Sequence, residues 1–234
     1  MNTGYKEIVL GGVNLGLYRS GKYGLADVVN DLARLEGLDL IRLSSLEPQL
    51  LTESLIESFS RIGKLCPHFH IALQSGSDTV LNRMGRRYDT ALIRKLVENL
   101  NQAFPHVALG FDVITGFPGE TDTEHAETVD LLQSVKPAYL HVFSYSKRKG
   151  TPAEKMPDQV PKGIKNQRSS QLHRLSESFQ QQYRQSLALH KVPLRGIVET
   201  CECGISEFVS DHYLRYAVKS EHQIGQLIRI EAFN

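Results

Sequence analysis

The sequence predicts an α/β fold: a partial (β/α) barrel over residues 1–191, followed by a small antiparallel β appendix over residues 192–234. Three observations lead there. Short apolar runs alternate five times with stretches of helical periodicity, the pattern of a parallel sheet with helices outside. Each apolar run ends in a loop rich in glycine and polar side chains. Beyond Pro152 the texture changes to a linker, one long amphipathic helix, and then β-branched alternation.

Ile8, Val9 and Leu10, stopped by Gly11 and Gly12, form the first predicted strand. Leu25, Val28, Val29, Leu32 and Leu35 follow at helical spacing. Residues 40–43 are the second strand, and Leu55, Ile56, Phe59 and Ile62 the next helical stripe. Residues 68–73 are the third strand. Leu92, Ile93, Leu96, Val97, Leu100 and Phe104 make the clearest helical face in the chain. Residues 107–114 are the fourth strand. Thr121 and Glu124 form a capping box that opens a helix reaching about residue 135. Residues 139–145 are the fifth strand. Five strands are too few to close an eight-stranded barrel, so the array is predicted to be open or to lack its first unit. Pro157 and Pro161 mark the linker. A helix over 162–190 carries Leu172, Leu175, Phe179, Tyr183 and Leu187 on one face, and Pro193 ends it. Residues 195–200, 213–219 and 226–231 read as strands of an appendix too short to hold much core of its own.

The 234 residues are 41% hydrophobic and 23% charged, with a net charge of +1, which excludes a disordered or strongly basic chain. No apolar run approaches the ~18 residues of a membrane span, and residues 1–12 lack the apolar stretch of a secretory signal. The cytoplasm is the expected compartment. Three cysteines, Cys66, Cys201 and Cys203, do not read as a disulfide framework. The single residue between Cys201 and Cys203 is not a zinc or iron–sulfur spacing.

If the strands are parallel, the loops after them gather on one rim, where β/α barrels hold ligands. Asn14, Gln74 and Asp112 stand at or near the ends of three different strands. Two amides and a carboxylate there suit a ligand with amine and hydroxyl groups, or else satisfy neighbouring backbone. The turn from Gly116 through Phe117 to Glu120 either approaches a ligand closely or is a plain βα turn. Glu120 stands where a phosphate would have to sit. Arg19 and Lys22 follow the first strand, Arg83, Arg86 and Arg87 the third, and Lys147, Arg148 and Lys149 the fifth. These cations are either a solvated surface or a surface for phosphate backbone. His68 and His70 share one strand face. They could begin a metal site, but no third ligand is identifiable, and packing is the expected role; no metal ligand is assigned.

Several segments resemble the radical S-adenosylmethionine methylthiotransferases, the MiaB-like family. They are the stretch ending Gln74-Ser75-Gly76-Ser77-Asp78, the run Asp112-Val113-Ile114-Thr115-Gly116-Phe117-Pro118-Gly119-Glu120-Thr121, and Phe143-Ser144-Tyr145-Ser146-Lys147-Arg148-Lys149-Gly150-Thr151-Pro152. Ile41-Arg42-Leu43-Ser44-Ser45-Leu46-Glu47-Pro48 and Met156-Pro157-Asp158-Gln159-Val160-Pro161 are similar to the branch acting on tRNA that bears N6-threonylcarbamoyladenosine. The resemblance implies a barrel of the radical SAM type, S-adenosylmethionine at its rim, and tRNA as partner. It places Gly12 and Asn14 near the methionine amine, Ser44, Gln74 and Asp112 along the methionine or ribose, and Gly116, Phe117 and Phe143 beside the adenine. With tRNA as partner, the rim cations Arg83, Arg86, Arg87, Lys147, Arg148 and Lys149 are expected to contact the RNA. The tail is similar to the small β-barrel, the TRAM module, with which the family holds tRNA.

The family's CxxxCxxC loop and the three cysteines of its N-terminal domain have no counterpart here. The expectation is therefore a piece of a longer enzyme whose two [4Fe–4S] clusters are ligated elsewhere, and which is inactive alone. Loss of a neighbouring strand would leave a barrel edge open to pairing with a second copy. The alternatives are a ribosomal-protein methylthiotransferase and a non-catalytic RNA-binding protein on the same framework.

Overall fold

The structure is a computed structural model and describes residues 4–233. The chain opens with β1 (Glu7–Leu10), a minimal hairpin of β2 (Arg19–Ser20) and β3 (Tyr23–Gly24), and α1 (Leu25–Ala33). Then come β4 (Leu40–Leu43), α2 (Glu53–Ser60), β5 (His68–Gln74), α3 (Asp78–Arg83), α4 (Thr90–Ala103), β6 (Ala108–Thr115), α5 (Asp122–Val135) and β7 (Tyr139–Ser144). The 28-residue α6 (Lys162–Leu189) leads to β8 (Pro193–Glu202), β9 (Ile205–Ser210), β10 (Arg215–Val218) and β11 (Leu227–Glu231).

β1 pairs in parallel with β4, and β5, β6 and β7 pair in parallel with one another. Parallel bridges from Ile41 to Leu65 and from Leu46 to Ile71 join the two groups. The strands therefore run β1-β4-β5-β6-β7 in chain order, as the alternating sequence predicts. Their outward side chains, among them Ile41, Leu43, Phe69, Ile71, Leu73, Leu109, Phe111, Val113 and Leu140, form one core with Val29, Ile56, Phe59, Ile93, Leu96, Leu131, Leu132, Leu172 and Phe179 of the helices. Each such side chain, removed from water, stabilises the fold by about 1.5–3 kcal/mol before chain entropy is counted. Three helices start at hydroxyl or carboxylate caps. Thr52 Oγ1 accepts from the Leu55 amide, Asp89 Oδ1 from the Leu92 amide, and the Thr121–Glu124 box forms as predicted.

The inward face is different. It carries Glu7, Arg42, Ser44, His68, His70, Asp112, Tyr139 and His141, because side chains two apart on a strand share a face. Gly110 makes room there. A Cβ on it would lie 2.2 Å from the Tyr139 ring, which lies across β6 to reach His68 and His70.

The appendix is a four-stranded antiparallel sheet in the order β10-β9-β8-β11. Leu194, Val198, Phe208, Tyr216 and Ile228 pack with Leu187 and Val192 at the end of α6. β9 has no counterpart among the predicted strands. Its buried residues are Ser206, Phe208 and Ser210, so the usual inward-apolar pattern is broken by two serines. Ser206 Oγ donates to the Ser220 carbonyl and accepts from the His222 amide, and Ser210 Oγ accepts from the Leu214 amide. Cys203 and Gly204 make the two-residue turn into β9, with φ of 50° and 77°. The short α3 is likewise additional to the predicted helices.

The loop between β9 and β10 closes the end of the barrel away from the rim. Arg42 Nη2 donates to the Ser210 carbonyl and its Nε to Glu7. Tyr213 stacks on His68 at 4.5 Å between ring centroids. Arg195 binds Asp211 through both its backbone amide and its guanidinium, and donates to the Gly63 carbonyl. His212 Nδ1 meets the Tyr183 hydroxyl at 2.7 Å.

Burial holds His68 well below the ordinary 6.5, helped by Arg42 and the neighbouring imidazoles, and burial lowers His212 as well. Folded chains keep both rings neutral while unfolded chains take up protons as the pH falls through 6.5. The unfolded state then binds more protons, so acidification destabilises the fold, and each ring adds a slope of about 1.4 kcal/mol per pH unit below 6.5 until its folded value is reached. Urea midpoints should fall steadily from pH 6.5 to 5, and less steeply in His212→Gln. A flat wild-type profile over that range would refute this account of the junction.

Candidate functional site

The parallel strands bring the loops after β1, β4, β5, β6 and β7 to one rim, as expected of such a sheet. At the end of β5 the register with β6 shifts, and Gln74 takes a φ of 68°. For a side chain with a Cβ this backbone costs of order 1–3 kcal/mol and persists only where neighbours enforce it. They do so here. The Gly76 amide donates to Thr128 Oγ1, and a Cβ on Gly76 would lie 2.6 Å from the Thr128 Cα, so the loop after Gln74 is clamped against α5. Gln74 is itself only 9% exposed.

Ser44 comes immediately after β4. Its amide donates to the Leu10 carbonyl, and its buried Oγ has no partner. Gly12 and Asn14 follow β1 and are exposed. Phe143, on β7, is 52% exposed although aromatic. Gly12, Asn14 and Phe143 leave surface open on the rim, while Ser44 Oγ is a buried hydroxyl without a partner.

Gly116 and Phe117 are at the same rim but turned into the protein. The Gly116 amide donates to Glu120 Oε2 at 2.7 Å, and Glu120 in turn accepts from the buried Arg168 of α6. The Phe117 ring is buried edge-on against Tyr145. Of the two readings open for this turn, its own groups favour the self-satisfied βα turn, and the carboxylate that stands where a phosphate would sit serves as its internal cap.

Below the rim lies a cluster that the spacing of residues did not reveal. Asp112 Oδ1 is 2.8 Å from His70 Nε2 and 3.6 Å from His141 Nδ1, while its Oδ2 accepts from Ser45 Oγ. His70 Nδ1 meets the Tyr139 hydroxyl at 2.9 Å, and the same hydroxyl reaches His68 Nε2. Burial alone would raise the Asp112 carboxyl. The His70 hydrogen bond and charge, with the Ser45 hydroxyl, outweigh it and hold the group below the usual carboxylate range. Burial lowers His141, and burial pushes the Tyr139 phenol up. The third partner for His70 is thus on neighbouring strands, while His68 turns to the tyrosines. A period-two stripe through Tyr139, His141 and Phe143 was the available signal for it.

The predicted cations divide. Arg83 pairs with Glu124 and donates to the Gly119 carbonyl, and Arg86 pairs with Glu47, so both are committed internally. Arg87, Lys147, Arg148 and Lys149 are exposed and form no ion pair among the described residues, and Arg19 and Lys22 are exposed beside β1. None of the three cysteines is at the rim. Cys66 is buried before β5, its thiol pushed up to about 12 by burial, while Cys201 and Cys203 are on the β8–β9 hairpin. No helix among the described residues is long and apolar enough to cross a membrane.

A family model described as the radical SAM superfamily matches residues 2–132. The threonylcarbamoyladenosine tRNA methylthiotransferase MtaB of Bacillus subtilis is 38% identical over 238 residues, 99% of this chain and 53% of that protein. Its namesake in Thermotoga maritima is 38% identical over 79% of this chain and 43% of that protein. A tRNA-2-methylthio-N(6)-dimethylallyladenosine synthase of Clostridium botulinum is 38% identical over 74% of this chain and 39% of that protein. The chain thus spans about half the length of the curated relatives it matches. Among solved structures, the radical SAM enzyme coproporphyrinogen III oxidase of Escherichia coli superposes with a TM-score of 0.54 at 15% identity, over 76% of this chain and 40% of that one. The radical S-adenosylmethionine methyltransferase TsrM of Kitasatospora setae gives a TM-score of 0.51 at 14% identity, over 64% and 29%. These two likenesses are of fold alone. A polar-lined, chain-ordered parallel sheet, the match over residues 2–132 and the identity to these relatives agree: the chain belongs to the radical SAM superfamily, and within it is similar to the MiaB-like methylthiotransferases.

Proposed function

We propose that this chain holds S-adenosylmethionine at its rim and binds tRNA within a methylthiotransferase acting on N6-threonylcarbamoyladenosine. The observations that carry the reading are polar and aromatic groups at the strand ends: the buried, partnerless Ser44 Oγ, Gln74 held at positive φ, and Phe143 exposed on β7. Buried polar groups are normally paired, so an unpaired hydroxyl at the strand-end rim supports a ligand there. These groups suit the amine, carboxylate and ribose hydroxyls of that cofactor, with Gly12 and Asn14 at the methionine end, Phe143 against the base and Asp112 in the floor. Gly116 and Phe117 then shape the adenine side as a rigid wall and offer it no free groups. Bound beside a [4Fe–4S] cluster, the cofactor supplies hydrogen-abstracting chemistry. Cys66, with its thiol held protonated, and Cys201 and Cys203, remote from the rim, do not fit as cluster ligands, so both clusters of the enzyme take their ligands from outside this chain.

Arg87 and Lys147 to Lys149 support an RNA surface, with the four-stranded appendix in the role of a TRAM-like module over residues 192–234. A second copy pairing along β1, where Val9 is 60% exposed, is the arrangement this edge supports.

Calorimetry should detect S-adenosylmethionine binding to the chain, weakened in Ser44→Ala and Gln74→Ala; equal affinity in wild type and both variants would refute the rim assignment. Filter binding of tRNA over a salt series should give a slope that falls by about one per phosphate-contacting cation removed from Lys147, Arg148 and Lys149, with Arg86→Ala nearly neutral. A slope insensitive to the three lysine and arginine replacements would count against the surface. Incubated alone with cofactor and reductant, the chain should leave tRNA nucleosides unchanged by mass spectrometry, and a methylthiolated nucleoside would contradict the cluster assignment.

A further inference from the structure

We propose that His70, Asp112 and His141 form a binding site for a divalent late first-row cation of the zinc class, inside the barrel below the rim. Three neighbouring strands each contribute one ligand. Asp112 is opposite His141 in the β6–β7 register, and His70 is opposite Gly110, two residues along the same face of β6 from Asp112. One donor atom from each lies within 4.8 Å of the others. Ligand atoms on a tetrahedral zinc with bonds of about 2.0–2.2 Å are about 3.3–3.6 Å apart. The 3.6 Å between His141 Nδ1 and Asp112 Oδ1 already matches, and the 2.8 Å between His70 Nε2 and the same oxygen needs to open by only about half an ångström.

The outer partners are those a metal site requires. A ligating imidazole is oriented by a hydrogen bond at its other nitrogen, and a ligating carboxylate by a bond to its other oxygen. His70 Nδ1 meets the Tyr139 hydroxyl, which leaves Nε2 for the cation. Asp112 Oδ2 accepts from Ser45 Oγ, which leaves Oδ1. Gly110 is what lets the Tyr139 ring reach this position. Two histidines and one carboxylate are a donor set for zinc, cobalt or ferrous iron, not for calcium or magnesium. Three protein ligands leave at least one coordination position. The His141 side chain is 47% exposed, so an oxygen or nitrogen donor of a molecule in the barrel can complete the shell.

The inference does not depend on the reading of the rim as a cofactor pocket, and its test needs no S-adenosylmethionine. The chain, stripped with chelator, is titrated with Co2+ and followed by visible ligand-field absorption, then back-titrated with Zn2+. One equivalent should bind, with Zn2+ displacing it. His141→Ala, a replacement at an exposed side chain that leaves the core untouched, should abolish the absorption, as should Asp112→Asn. Tyr139→Phe should weaken binding by about 10–100-fold through loss of the oriented imidazole. His173→Ala on the outer face of α6 should change nothing. Zn2+ should raise the melting temperature of wild type and not of His141→Ala. Absence of ligand-field absorption in wild type, or full binding retained in His141→Ala, would overturn the proposal and leave the cluster as a hydrogen-bonded His–Asp pair.

Discussion

The five-stranded sheet carries hydrocarbon on one face and ionisable or hydroxyl groups on the other, and the rest of the molecule accommodates that asymmetry. Apolar burial can act only on the outer face, so α1 to α6 must all gather there. The inner face cannot be filled with branched apolar side chains as most barrels are. Its groups are instead joined to one another, Tyr139 bridging two histidines and Asp112 bridging Ser45 and two others. A polar interior of this kind is costly wherever a member lacks its partner, as Ser44 Oγ and His68 Nδ1 do.

The floor of the barrel shows the same constraint at its most severe. Arg42 is 5% exposed, and a guanidinium taken from water needs its donors met. Glu7 meets one from within the barrel. The Ser210 carbonyl meets another from the appendix, so the small sheet completes the solvation of a charge that the barrel alone leaves exposed. Tyr213 completes the closure from a left-handed backbone, φ 61°, which aims its ring at His68. The appendix is thereby joined to the barrel by polar contacts at its loop and apolar ones along α6.

The five strands and the long helix were legible because each is written as uninterrupted periodicity over apolar residues. Residues 40–43 and the Thr121 capping box coincide with the structure, since local signals alone specify them. β9 was illegible for the opposite reason: two of its three inward positions are serines, made favourable by the His222 amide sixteen residues on, the Ser220 carbonyl, and the Leu214 amide four residues on. At the rim, Gln74 was identifiable as a strand-end amide, but its backbone strain depends on Thr128, over fifty residues away. The internal pairing of Arg83 and Arg86 likewise rests on Glu124 and Glu47. A sequence lists cations; only the fold decides which are already neutralised. The triad of His70, Asp112 and His141 was hidden by the same lack of long-range pairing information, since three strands must be placed side by side before their side chains converge.

α6 runs from the rim, where Lys165 Nζ donates to the Tyr145 carbonyl, to the far end, where Tyr183 and Leu187 enter the appendix. Its 28 residues measure about 42 Å, without a proline and with Arg168 anchoring the upper third to Glu120. Such a rod behaves as a calliper with fixed jaws. Any long, stiff partner that touches the mouth of the barrel and the outlying sheet together is gauged by it, and one whose own dimensions do not fit that span can engage either jaw but never both.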